Sequence, residues 1–217
     1  GDTGGRTLIG TYDLVDGKRG KKWRVVQMDY TNQYSGQVNR AMGFADVDYD
    51  GCDELIYGSL AINNDGKPMY STGLGHGDAQ HVSDLDTSRP GLEVYSCHEE
   101  TQAKYSFEMR DARTGEILVG GEQMGSDNGR GTSDDIDPRY PGCEGWSAAG
   151  ILTAADGTVI STKYTMPANF LCYWDGDLGR EVQDNIYISK RTPEKEKVET
   201  ILTASGLTSV KGTNDTQ

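Results

Sequence analysis

Between Gly43 and Gly58 the chain reads Phe44-Ala45-Asp46-Val47-Asp48-Tyr49-Asp50-Gly51-Cys52-Asp53-Glu54-Leu55-Ile56-Tyr57, and no other stretch restricts the fold so strongly. Alternate acids around one glycine, with apolar residues on both sides, describe a cation-binding turn between two β-strands. Ca²⁺ is a hard ion that prefers oxygen, and a D-x-D-x-D-G run directs successive carboxylates and carbonyls at one centre. Asp46, Asp48, Asp50, Asp53 and Glu54 are the candidate ligands. An EF-hand would need glutamate at the last loop position, which Tyr57 occupies, and helical flanks. Neither condition is met.

The pattern recurs in a looser form, D-x-D followed by Gly-x-Glu. Asp84 and Asp86 lead to Glu93, Asp135 and Asp137 to Glu144, and Asp175 and Asp177 to Glu181. The units begin roughly 40–50 residues apart, the repeat length of β-propeller blades. Aspartate and glycine crowd turns of every kind, but unrelated turns would not share acid order, spacing and trailing glutamate. All these acids join the candidate metal ligands. The expected fold is all-β, a β-propeller with calcium-binding acidic loops, and residues 1–217 form part of one such domain.

Composition agrees. The 29 glycines, 12 tyrosines and mean hydropathy of −0.65 suit many short strands joined by turns. A net charge of −13 argues against nucleic-acid and anionic-membrane partners. It fits a protein that gathers carboxylates around cations. No apolar run is long enough for a transmembrane helix. No signal peptide is visible, and the abrupt opening at Gly1 reads as a mature or clipped product. Cys52, Cys97, Cys143 and Cys172 are too dispersed for a zinc cluster; two disulfides in any of three pairings, or free thiols, all fit.

In chain order, 7–12 and 22–30 read as strands around a turn at Asp16-Gly17, and 31–41 as a polar surface loop. Further strands are expected at 55–59, 92–96, 106–110, 117–119 and 198–204, with loops at 125–139 and 190–197. The three histidines, His76, His81 and His98, all fall within one short stretch, a concentration that favours metal binding or proton transfer over bland surface roles. Arg130, between two glycines, suits an exposed anion contact. Trp146 and Trp174 flank acidic loops; each is either a sugar-stacking platform or core, with core the default.

Longer runs carry a resemblance. Residues 45–59 (ADVDYDGCDELIYGS), 71–86 (STGLGHGDAQHVSDLD), 89–100 (RPGLEVYSCHEE), 129–146 (GRGTSDDIDPRYPGCEGW) and 169–177 (NFLCYWDGD) resemble the bacterial rhamnogalacturonan lyases of polysaccharide lyase family 11. The resemblance implies about four blades of an eight-bladed propeller, whose remaining blades would complete the ring. It also implies a secreted or periplasmic enzyme that cleaves rhamnogalacturonan, the pectin backbone, by β-elimination at galacturonate with Ca²⁺. On that reading His76 and Asp78 hold the metal, and Arg130 and Trp146 meet the substrate. Arg130 also acts in catalysis with His81, which is a base or a second metal ligand, while the acidic loops are structural.

Two departures count against activity. Asn39-Arg40 stands where the family tends to carry histidine, and Asn214 where it tends to carry lysine, with Lys211 close by. The rival reading is a calcium-stabilised propeller that binds polysaccharide or a protein without cleaving anything.

Overall fold

The computed structural model describes residues 7–27 and 33–205. A hairpin opens it, β1 (Thr7–Val15) paired with β2 (Lys18–Gln27). Asp16 and Gly17 turn it with φ of 51° and 71°, the double positive φ whose twist suits a two-residue hairpin. The predicted turn is there. The expected strand residues 28–30 lie outside the described residues, as do Lys211 and Asn214.

Four antiparallel sheets follow, each four strands in simple up-and-down order. The first holds β3 (Gly43–Ala45), β4 (Glu54–Tyr57), β5 (Leu60–Ile62) and β6 (Pro68–Ser71). The second holds β7 (Gln80–Ser83), β8 (Glu93–Cys97), β9 (Tyr105–Asp111) and β10 (Ile117–Glu122). In the third are β11 (Gly131–Asp134), β12 (Glu144–Ser147), β13 (Leu152–Thr153) and β14 (Val159–Ser161). The fourth has β15 (Phe170–Cys172), β16 (Glu181–Asp184), β17 (Tyr187–Thr192) and β18 (Lys197–Thr203). A single 3₁₀ turn, Pro193–Lys195, is the one helical segment among the described residues. The all-β expectation holds.

The apolar residues explain the stacking. Both faces of β8 and β12 are buried, as strands covered on two sides must be. Val47, Ile56, Ala61, Val94 and Ala112 pack between the first and second sheets. Leu85, Tyr95, Phe107, Met109 and Ala155 fill the space between second and third, and Ile136, Trp146, Leu152, Met166 and Val182 that between third and fourth. Each fully buried valine, leucine, isoleucine, phenylalanine or methionine among them contributes roughly 1.5–3 kcal/mol. The glycines serve this closeness: a Cβ on Gly145 would stand 2.4 Å from the Tyr95 ring.

Several expectations are corrected here. Trp146 is no sugar platform: it is fully buried, edge-on to Tyr164 with centroids 6.1 Å apart, and donates Nε1–H to the Pro167 carbonyl at 2.9 Å. Its core role, the default, is the observed one. The stretch 125–139 is interrupted by β11, and 190–192 continue β17 rather than forming a loop. In the polar linker, Val38 packs against Leu55, Leu60 and Ile62, and Asn39 is buried and bridges to Gly77. The four cysteines form no disulfide.

Candidate functional site

The segments that precede the first strand of each sheet converge. Arg40 and Ala41 lie before β3, 78–81 lead into β7, Arg130 and Gly131 open β11, and 168–170 open β15; together they line one cavity of about 420 Å³. The acidic loops follow those same strands. A strand of three or four residues spans roughly 10–13 Å, so cavity and acidic loops sit at opposite ends of the sheets. They must do different things.

Beside the cavity, His76, Asp78 and Glu99 each place one ligand atom within 4.8 Å of the others. His76 is buried, and its Nδ1–H donates to the Val38 carbonyl at 2.6 Å. That bond fixes the tautomer and leaves the Nε2 lone pair facing the carboxylates, 3.7 Å from Asp78 Oδ1 and 3.8 Å from Glu99 Oε2. Nε2 has no hydrogen-bond partner. A buried imidazole nitrogen without a partner beside two carboxylates is what a divalent cation would satisfy, and the donor set fits one. Arg40 reaches the same place, Nε 2.8 Å from Asp78 Oδ1.

Glu99 had no assigned role in the sequence. In the β7–β8 pairing Gln80 faces Ser96, and continuing that register sets residue 99 opposite Gly77. The Glu99 N–H bonds the His76 carbonyl at 3.0 Å, so hairpin register was the signal that finds it. Burial, then the neighbouring Asp78 and Asp127 carboxylates, push the Glu99 carboxyl from 4.5 up to about 7.

A pH dependence follows. A carboxyl must lose its proton to hold a cation, so the affinity of these three residues for one would rise with pH and level off above about 7. Without cation the sign is opposite. The folded state holds the Glu99 proton more tightly than the unfolded chain, so its contribution is fully present below 4.5 and is lost as pH rises through about 7. Buried Glu144, pushed up to about 8 chiefly by burial, acts in the same direction. His81, whose pKa burial depresses, acts oppositely up to its ordinary value of 6.5, so the melting temperature of chelator-treated protein is expected to fall above that, through the values of about 7 and about 8 at Glu99 and Glu144, with the gain from added calcium greatest at the alkaline end. A calcium gain greatest at the acid end would contradict Glu99 as ligand.

His81 is not among those three residues. It stands on the cavity wall with Nε2 3.3 Å from the Gly131 carbonyl, and burial depresses its pKa, which keeps it neutral and able to accept a proton. Arg130 lines the same cavity and makes no ion pair among the described residues. His98 belongs elsewhere: it is buried with Nε2 3.5 Å from Glu108.

At the other end, the trailing glutamate does one job in all four sheets. Glu54 accepts the Val47 N–H, Glu93 the Leu85 N–H, Glu144 the Ile136 N–H and Glu181 the Trp174 N–H. Trp174 therefore takes the place of Val47, and Asp175 and Asp177 correspond to Asp48 and Asp50, a register two residues from the one the sequence pattern indicates. The cations expected there are partly replaced. Asp46, Asp48 and Asp50 form a three-ligand group that exposed Asp53 and inward-bonded Glu54 do not join. Asp84, Asp86 and Glu93 form no such group among the described residues; Asp86 bonds Ser88 instead. Asp137 pairs with Arg139 and Arg191, while Asp135 stays outside. Asp175, Asp177 and Glu181 also bring their carboxylates together as a three-ligand group, and the ammonium of Lys190 sits among them, 2.7 Å from Asp177 and 2.9 Å from Glu181.

Residues 4–217 match the family model described as rhamnogalacturonan lyase family 11, C-terminal domain. The chain is 48% identical over 212 residues to rhamnogalacturonan endolyase YesW of Bacillus subtilis, covering 97% of this chain and 34% of that one. It is 42% identical over 226 residues to rhamnogalacturonan exolyase YesX of the same organism, covering 96% and 37%. The crystal structure of YesW superposes with a TM-score of 0.87 over 93% of this chain and 34% of that one. A Bacillus licheniformis rhamnogalacturonan lyase superposes equally well, TM-score 0.87 at 46% identity, with the same coverage of both chains. The chain thus spans about a third of the length of the relatives it matches.

Proposed function

The chain belongs to rhamnogalacturonan lyase family 11, and on that footing we propose that it forms the site-bearing part of a secreted bacterial enzyme that cleaves rhamnogalacturonan by β-elimination at galacturonate. The observation that carries the reading is the unpartnered, buried Nε2 of His76 beside Asp78 and Glu99, at the edge of a cavity that Arg130 and His81 line. The four meander sheets, each with its first strand toward the cavity, are consecutive blades of a β-propeller completed by further blades.

β-Elimination must remove a weakly acidic C5 proton from a sugar that already bears a carboxylate. Arg130 offers the planar fork that pairs a carboxylate in two places and stabilises charge spreading from C5. His81, neutral and with Nε2 directed to the Gly131 carbonyl, presents Nδ1 as the proton acceptor. The C5–H bond breaks toward His81, its electron pair forms the C4–C5 double bond, and the C4–O bond releases the preceding sugar, whose oxygen then takes up a proton. A calcium ion on His76, Asp78 and Glu99 supplies further positive charge against the uronate carboxylate when bound. Asp46, Asp48 and Asp50 hold a separate, structural calcium at the opposite end.

The test is an elimination assay on the full polypeptide with rhamnogalacturonan, following ultraviolet absorbance of the unsaturated uronate with calcium and then with chelator. Absorbance that rises only with calcium supports the reading. No rise, alongside a calcium-dependent gain in melting temperature, would leave a binding propeller and not an enzyme.

A further inference from the structure

Arg40 stands out because its guanidinium is the counter-ion of a carboxylate that a cation at His76 would need, while Asp78 Oδ1, like His76 Nε2, makes no hydrogen bond. Its backbone is pinned: the N–H lies 2.7 Å from Asn39 Oδ1 and 3.2 Å from the Gly77 carbonyl. Its side chain is 56% exposed, reaches Asp78 Oδ1 at 2.8 Å, and lines the same cavity as Arg130. Asp78 itself is nearly buried. Rotation of the side chain alone therefore suffices to carry the guanidinium from Asp78 toward the cavity, with no movement of the main chain.

We propose that Arg40 is a second uronate-binding group, held on Asp78 until a divalent cation takes that carboxylate and releases it to the sugar. The proposal rests on the cation and uronate reading given above. The physics is exchange between two partners. While no cation is present, Arg40 neutralises Asp78 and lowers the affinity of the site for metal. Once a cation occupies Asp78, like charge disfavours Arg40 there, and a sugar carboxylate in the cavity becomes its better partner. Cation and uronate then promote each other's binding through one side chain, and the coupling is reciprocal. What reads in the sequence as the loss of a histidine is, on this account, a change in how the site is switched on.

Calcium titrations by calorimetry on the full polypeptide test it, with galacturonate as the sugar probe because it carries no sugar at C4 to eliminate, and rhamnose as the uncharged control. The His76-dependent calcium isotherm is the part lost in His76→Ala. Arg40→Gln is expected to tighten that isotherm about two- to fivefold without sugar, the worth of one partly exposed ion pair. In the wild type galacturonate tightens it and rhamnose does not; in Arg40→Gln the galacturonate effect disappears. Calcium affinity unchanged or weakened in Arg40→Gln, or a galacturonate effect equal in both proteins, overturns the role of Arg40 while leaving the metal site standing. If His76→Ala removes no calcium from the wild-type isotherm, the metal reading falls and the proposal with it. A melting curve verifies that each variant is folded.

Discussion

Replacing Arg110 by methionine is expected to destabilise the fold by roughly 3–5 kcal/mol, the cost of leaving a buried charge without its partner. Arg110 has no solvent exposure. Its Nη1 meets Glu108, Nη2 lies 2.5 Å from the Gly58 carbonyl, and Nε lies 3.3 Å from the Tyr70 hydroxyl. Three partners depend on one guanidinium across two sheets, because Tyr70 lies in β6 and Gly58 in the β4–β5 turn of the first sheet, and Glu108 in β9 of the second. Without it Glu108, also fully buried, faces only His98 at 3.5 Å. Urea unfolding reads the loss as a lower midpoint at unchanged slope. The double variant Arg110→Met with Glu108→Gln should lose clearly less than the single one, since both charges then leave together. A single-variant loss under about 1 kcal/mol would mean that Glu108 does not depend on this cation.

The two hairpin elements with strong local signals were readable in advance. Asp16-Gly17 demanded a two-residue turn, and the recurring acids followed by glutamate located four turns between paired strands. The physical reason for the repeat was not readable, because the acids are conspicuous and the glutamate is what does the same work each time, accepting an amide of the loop. The strand before Asp46 was expected and is Gly43–Ala45, but Phe170–Cys172 escaped for want of length: three residues are too few for alternation to register. The first strands build the cavity by placing their preceding loops together, so the sequence named most of the site's residues without showing that they converge. His76 and Asp78 are neighbours in sequence and could be paired by inspection. Glu99 comes to them only through strand register, and Arg40 from a different sheet. Lys190 was masked by its charged surroundings, which read as a loop; alternation along Tyr187–Thr192 is weak because Lys190 and Arg191 have ion partners in place of apolar ones.

Arg130→Ala is expected to lower kcat/KM for rhamnogalacturonan by about 10²–10³, the usual effect of removing one group that stabilises charge developing in the transition state. Nothing structural should accompany the loss. The fold uses the Arg130 main chain, whose carbonyl accepts the Ala148 N–H at 2.8 Å, and a substitution at such a position changes stability by no more than about 0.5 kcal/mol. Because the site needs a planar fork and not merely a positive charge, Arg130→Lys should recover only part of the rate. The His76-dependent calcium isotherm should not change in either variant, which separates Arg130 from the metal ligands: in His76→Ala calcium is lost and activity follows, whereas in Arg130→Ala calcium is kept and activity still falls. Were Arg130→Ala to lose affinity with kcat intact, the guanidinium would hold the sugar equally well before and during reaction, and the charge at C5 would have to be met by the cation and Arg40 alone.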